Sequence, residues 1–135
     1  MVTHFIVNTR LGLFHEEQVA IKKLKESRNS EKDLMEFRSE GMIMKAAAHP
    51  RIILCYGIVD GVGQQAMVLE LMANNSLASL IEAPNSVLAW NVRYQIALDI
   101  ALGMEYLHRL RFVHRDLKCA NVLLDHYFRA KIADF

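Results

Sequence analysis

The residues most able to do chemistry stand together in His114-Arg115-Asp116-Leu117-Lys118-Cys119-Ala120-Asn121. An acid, a base and an amide share this short stretch, and the apolar run Val122-Leu123-Leu124 follows at once. Charged groups so close to each other need water or a ligand, whereas the apolar run reads as a buried strand. A loop of acid–base and ligand-holding groups braced by a strand is the arrangement this pattern predicts. A second candidate is Lys22 in Gln-Val-Ala-Ile-Lys-Lys-Leu. Val19 and Ile21 share one face of that predicted strand, with Ala20 and Lys22 on the other. A lysine on an inward face is costly unless an anion meets it, and an edge or snorkelling lysine is the plainer alternative.

Other elements must position these groups. Residues 5–14 alternate in character and read as a strand pair. Ser30-Glu31-Lys32-Asp33 reads as a capped helix start, with Leu34, Phe37, Gly41 and Met44 as its buried stripe. Glu40 borders that stripe, where a solvated helix glutamate is the usual case. The apolar runs 52–59 and 66–71 flank Asp60-Gly61-Val62-Gly63-Gln64-Gln65, which predicts a hairpin with a loop longer than two residues. Asn74-Asn75-Ser76-Leu77 reads as a turn into a helix, where Asn accepts positive φ and Ser caps. Residues 90–107 form the longest predicted helix. Its buried face carries Ile96, Ile100, Gly103, Met104 and Leu107, and Ala97 and Ala101 admit a close neighbour. Asp99 is expected to be solvated.

Composition narrows the class. The chain has 135 residues, 53% hydrophobic and 23% charged, which fits a globular domain rather than a disordered one. Sixteen Lys plus Arg against fifteen Asp plus Glu give a net charge of +1, which favours neither nucleic acid nor an anionic membrane as partner. Cys55 and Cys119 lack CxxC spacing and are expected to be reduced thiols, and the six histidines show no metal-ligand spacing. The N-terminus lacks the pattern of a signal peptide, and no apolar run approaches the ~20 residues of a membrane span. A soluble, cytoplasmic protein is the expectation.

The pattern His114-Arg115-Asp116-Leu117 followed by Asn121 resembles the catalytic loop of protein kinases, H-R-D-L-x-x-x-N. Val19-Ala20-Ile21-Lys22 resembles the V-A-I-K strand of the same family, and Asp134-Phe135 the start of D-F-G. The stretches Phe37–Glu40, His49–Ile53 and Ile96–His108 are also similar, and Lys22, Glu40, Asp116, Asn121 and Asp134 occur in the family order. The resemblance implies an α+β, protein-kinase-like fold. Residues 1–72 would form the N-lobe, an antiparallel sheet plus one helix, and residues 73–135 the beginning of the helical C-lobe, with ATP between the lobes.

By resemblance the cofactors are ATP and Mg2+, and the partner is a protein substrate offering a hydroxyl. Lys22 would hold the α- and β-phosphates, with Glu40 fixing its ammonium. Asp116 would take the hydroxyl proton, Lys118 would place a cation on the γ-phosphate, and Asn121 and Asp134 would ligate magnesium. Glu70-Leu71-Met72 resembles the hinge that binds adenine, with Leu69 at the position controlling access behind the adenine, and Ala20, Glu70, Met72 and Leu123 would line the nucleotide site. Histidine 114 would pack beneath the loop as structure. Lys118 favours Ser/Thr over Tyr acceptors, and Trp90 with residues 96–108 resembles the tyrosine-kinase-like group of Ser/Thr kinases.

Two departures stand out. Aligning Gly12 with the family glycine after the phosphate-covering loop places Met1–Ile6 over that loop, and none of these residues is glycine. The match also covers only the front of a kinase, ending before the activation loop and A-P-E. The predicted 90–107 helix should then expose apolar surface, which a partner could cover. Two functions follow: a Ser/Thr protein kinase represented in part, or a catalytically inactive nucleotide-binding or scaffold module.

Overall fold

The computed structural model describes residues 8–24, 30–61, 64–84 and 87–134. The expectations for Met1–Ile6, for the hairpin tip at residues 62–63 and for Phe135 lie outside these residues. Two compact units account for the rest. The first takes the chain up to Ala48 together with Leu54–Leu71, and the second takes His49–Ile53 together with the chain from Met72.

In the first unit, β1 (Asn8–Phe14), β2 (Glu17–Lys23), β3 (Cys55–Gly61) and β4 (Gln64–Glu70) form an antiparallel sheet in the order β1-β2-β4-β3. Of residues 5–14, expected to form a strand pair, the described residues 8–14 form one strand, β1, whose partner is β2 through a turn at His15 and Glu16. Both turn residues take positive φ, 48° and 70°, the conformation a tight reversal between twisted strands demands. Gly61 pairs with Gln64, so the β3–β4 ladder continues to the last described residue on either side of the link.

Helix α1 (Glu31–Ala46) starts where Ser30 Oγ accepts the Asp33 N–H at 3.2 Å, with Glu31 and Asp33 near the positive helix end and Lys45 in the last turn. Phe37, Gly41 and Met44 are buried, and Leu34 is half-buried. The lack of a side chain at Gly41 matters here. A Cβ would sit 2.7 Å from Ile58 Cδ1, so glycine lets β3 approach the helix beside Glu40.

The second unit contains α2 (Leu77–Glu82), α3 (Trp90–Arg109), a single 3-10 turn at Cys119–Asn121, and the two-stranded ribbon β5 (Val122–Leu124) and β6 (Ala130–Ile132). Asn75 takes φ 55° and Ser76 Oγ caps α2 by accepting the Ser79 N–H at 3.1 Å, as the Asn-Asn-Ser sequence predicts. Leu77, Ile96, Val122, Leu124 and Ala130 form the core, with Leu80, Val92, Ile100 and Phe128 packed against it. Residues 52 and 53, expected to lead into a strand, do something else. Ile52 makes a parallel bridge with Ile132, and the Ile53 N–H donates to Ile132 O at 3.0 Å.

The buried residues of α3 are Ile96, Asp99, Gly103 and Leu107. Ala97 and Ala101 are exposed, so they do not receive the close neighbour expected of them; Gly103 does. A Cβ on Gly103 would lie 2.8 Å from Arg51 O and 2.9 Å from Ile132 Cδ1. Trp90, Tyr94, Leu98 and Leu102, four residues apart along the helix, are exposed.

Candidate active site

In the first unit, the anion that a buried strand lysine requires is present. Lys22 Nζ lies 2.7 Å from Glu40 Oε1, and the two side chains retain 8% and 13% of their exposure. Sheet register turns Lys22 inward opposite Met67, while α1 carries Glu40 to it just before the Gly41 contact. Ala20 lies on β2 between Leu11 and Leu69. At the end of β4, the Glu70 N–H donates to Leu54 O at 3.0 Å, and Glu70 Oε1 accepts the Leu54 N–H at 2.6 Å. The Glu70 side chain therefore latches the start of β3 to the end of β4, a use its sequence does not announce.

In the second unit, Met72 is buried and Leu123 half-buried, the latter bridged to Ser76 and paired with Lys131. Asp116, Lys118 and Asn121 form one knot. Asp116 Oδ2 lies 2.9 Å from Lys118 Nζ and accepts from Asn121 Nδ2 at 3.0 Å. Asn121 Nδ2 also donates to Asp116 O at 2.9 Å, and the Asn121 N–H donates to Lys118 O at 2.9 Å. The 3-10 turn makes this closure; it folds Asn121 back over the loop it follows.

Histidine 114 supports the knot from below. It is buried, and its Nδ1 accepts the Asp116 N–H at 3.3 Å. Nε2 is therefore the protonated nitrogen and donates to Ala133 O at 2.9 Å. With both ring nitrogens held by main chain, the imidazole is a brace. The Ala133 N–H donates to Asn121 O at 2.9 Å, which ties the residue before Asp134 to the loop. Asp134 is exposed. Arg115 and Asp134 both take left-handed backbone conformations, φ 64° and 57°. Such conformations cost about 1–3 kcal/mol each and persist where surrounding contacts over-determine them, commonly at functional sites.

Among the described residues no group of three or more His, Cys, Asp or Glu side chains could hold a metal ion by itself. The donor set fits magnesium nonetheless. Magnesium takes hard oxygen ligands, often one or two carboxylates completed by phosphate and water, and Asp134 with the Asn121 amide oxygen offers that chemistry. Both amide hydrogen bonds of Asn121 to Asp116 leave from its nitrogen, so its oxygen plays no part in them.

Asp99 is the residue that sequence reasoning missed. Expected to be solvated, it is fully buried. Its Oδ1 accepts from Gln95 Nε2 at 2.9 Å and Arg129 Nη2 at 3.1 Å, and lies 2.8 Å from Arg51 Nε. Its Oδ2 accepts from Arg129 Nε at 3.1 Å and the Ala130 N–H at 3.0 Å. Burial pushes the carboxyl up, but the bonds from Arg129, Ala130 and Gln95 and the Arg51 charge outweigh it and hold the pKa below its ordinary value. The signal was in the periodicity, since position 99 falls on the same face as Ile96, Gly103 and Leu107.

The family model described as protein tyrosine and serine/threonine kinase matches residues 5–135. The chain is a member of the protein kinase family. Among curated relatives, SIS8 of Arabidopsis thaliana, named a serine/threonine-protein kinase, is 41% identical over 92% of this chain and 12% of its own length. LysM domain receptor-like kinase 3 of Arabidopsis thaliana is 36% identical over 92% of this chain and 19% of its own. The tyrosine-protein kinase receptor svh-2 of Caenorhabditis elegans is 39% identical over 89% of this chain and 11% of its own. The kinase chain thus spans less than a fifth of these relatives' length.

The comparisons correct one expectation. A cytoplasmic protein was expected, yet the curated relatives include receptors and receptor-like kinases. Composition here reports a globular kinase segment and not the location of the protein that carries it. Among the described residues no helix is long and apolar enough to cross a membrane.

Proposed function

We propose that the chain is the nucleotide-holding and phosphoryl-transferring front of a protein kinase that uses Mg-ATP to phosphorylate Ser or Thr hydroxyls. In this reading residues 1–72 belong to the N-lobe and residues 73–135 open the C-lobe. The observation that carries it is the Asp116–Lys118–Asn121 knot, with Asp134 tethered to it through Ala133.

Phosphoryl transfer demands positioning and charge neutralisation more than covalent chemistry. The Asp116 carboxylate orients the acceptor hydroxyl and takes its proton. Lys118, already beside that carboxylate, offers its ammonium to the transferred phosphoryl. Asn121 keeps Asp116 in place through two hydrogen bonds and presents an amide oxygen, which with Asp134 would hold magnesium. Bound magnesium would neutralise phosphate charge. Lys22, held by Glu40, grips the α- and β-phosphates, and Ala20, Glu70, Met72 and Leu123 line the nucleotide site. Lys118 supports Ser/Thr acceptors, since tyrosine kinases usually carry Ala or Arg after H-R-D-L, and the name of SIS8 agrees.

The test is transfer of labelled γ-phosphate to a generic basic protein by the full natural protein containing this segment, followed by phosphoamino-acid analysis. Phosphoserine and phosphothreonine should appear, and Asp116→Asn should lower the rate by roughly 10²–10⁴, the usual worth of a positioned acid–base group. Phosphotyrosine alone would overturn the acceptor assignment. Nucleotide binding without transfer at any enzyme concentration would make the chain an inactive binding module.

A further inference from the structure

We propose that Asp99 is a positioning residue for the metal-holding end of β6, fixing Asp134 from the far end of that strand; this rests on the magnesium role of Asp134 given above. Strand β6 has three residues, too few to hold its own direction. Its exit is fixed by Asn121 and His114, which bond the Ala133 N–H and C=O just before Asp134. Its entrance is fixed by Asp99, which accepts the N–H of Ala130, the first residue of the strand.

The same carboxylate governs the segments on either side. Arg129, directly before β6, forms a forked pair with Asp99 through Nε and Nη2. Arg51 Nε lies 2.8 Å from Asp99 Oδ1, and Arg51 O accepts the N–H of Ile132, the last residue of β6. One buried anion therefore sets the first residue of the strand directly and the last through the Arg51 main chain. Gly103, one turn beyond Asp99 on α3, has no side chain to hold Arg51 O and Ile132 away. Packing alone does not call for a charge here, because an apolar side chain of similar volume is often as stabilising as a buried ion pair. A carboxylate does what an apolar group cannot. It sets the direction of two guanidinium groups and one main-chain N–H at once.

The test uses the full natural protein and its Asp99→Asn variant, which keeps shape and loses charge. Manganese binding in the presence of a non-hydrolysable ATP analogue is followed by electron paramagnetic resonance, alongside kcat and the magnesium dependence of transfer. Removing a group that orients a metal ligand typically costs 10–100-fold in metal affinity or activity, so Mn2+ binding should weaken by about tenfold or more. The KM for the protein acceptor should stay unchanged. Arg129→Lys, at a partly exposed position, keeps the charge and loses the fork; it should shift Mn2+ binding in the same direction by less. It decides the question if Asp99→Asn does not fold.

Variants that melt at lower temperature yet bind Mn2+ as the natural protein does would reduce Asp99 to a structural anchor and overturn the proposal. Asp134→Asn, expected to abolish Mn2+ binding, separates the two levels. If the natural protein binds no Mn2+ with nucleotide, the magnesium reading fails and this inference with it. If it binds Mn2+ through Asp134 but ignores Asp99, only this inference fails.

Discussion

The ion pair of the first unit and the buried carboxylate of the second solve the same problem in opposite ways. Lys22 and Glu40 meet at 2.7 Å while each keeps some contact with solvent, so either can take another partner without being stranded in an apolar interior. Asp99 has no exposure, and both its oxygens are filled by protein donors. The first arrangement suits a group that must meet a ligand. The second suits a fixed point from which other groups are measured. Charge inside a kinase unit thus has two uses, and residual exposure tells them apart.

Truncating the fixed point should have the largest effect on stability. Asp99→Ala strands Arg51 and the Ala130 N–H, and breaking a buried pair on one side costs about 3–5 kcal/mol. Urea unfolding of the full protein measures it. Lys22→Met attacks the other member of the comparison. Glu40 keeps access to water, so the stability loss should be about 1–2 kcal/mol, while phosphate transfer falls far more than stability does. Equal stability losses for the two variants would erase the distinction.

Acid should sharpen the contrast. The folded-state pKa of Asp99 lies below its ordinary value, so the stability it contributes is fully present above the unfolded carboxylate pKa of about 3.9 and drains away as pH falls through the folded value. The gap in urea midpoint between the natural protein and Asp99→Asn should be constant from about pH 5 to 8 and narrow below about pH 4. A gap that persists unchanged at pH 2–3 would mean that shape, not charge, is what Asp99 supplies.

The smallest effect contrasts the thiols of the two units. Cys119 is exposed in the loop between Asp116 and Asn121, whereas Cys55 is buried and its thiol is pushed up, by burial first. In the folded protein a maleimide reagent should label Cys119 quickly and Cys55 only after unfolding, as peptide mass mapping would show.

The candidate site was legible because local chemistry spells it. Asp116, Lys118 and Asn121 lie within one loop, and Ser30 and Asp33 write the start of the helix that carries Glu40. Sheet register then does what alternation predicts for Lys22. The misreadings share a cause, which is dependence on residues distant in sequence. Asp99 reads as a surface acid until Arg129 and Arg51 are brought to it, and Ile52 reads as a strand until it is seen bridging Ile132. Turn geometry was the other gap. His15 and Glu16 carry no glycine to announce the reversal between β1 and β2, yet both adopt positive φ.

The spacing of the Asp99 partners also bears on how the chain is made. A ribosome delivers Asp99 well before Arg129 and Ala130, which follow by 30 and 31 residues. Lys22 and Glu40 need a separation of only 18. During synthesis the first unit can therefore close its ion pair early, while the long helix of the second emerges with an acid on its apolar face and its downstream partners still untranslated. Vectorial synthesis thus gives the two halves of this kinase segment different folding schedules, and the second waits for β6.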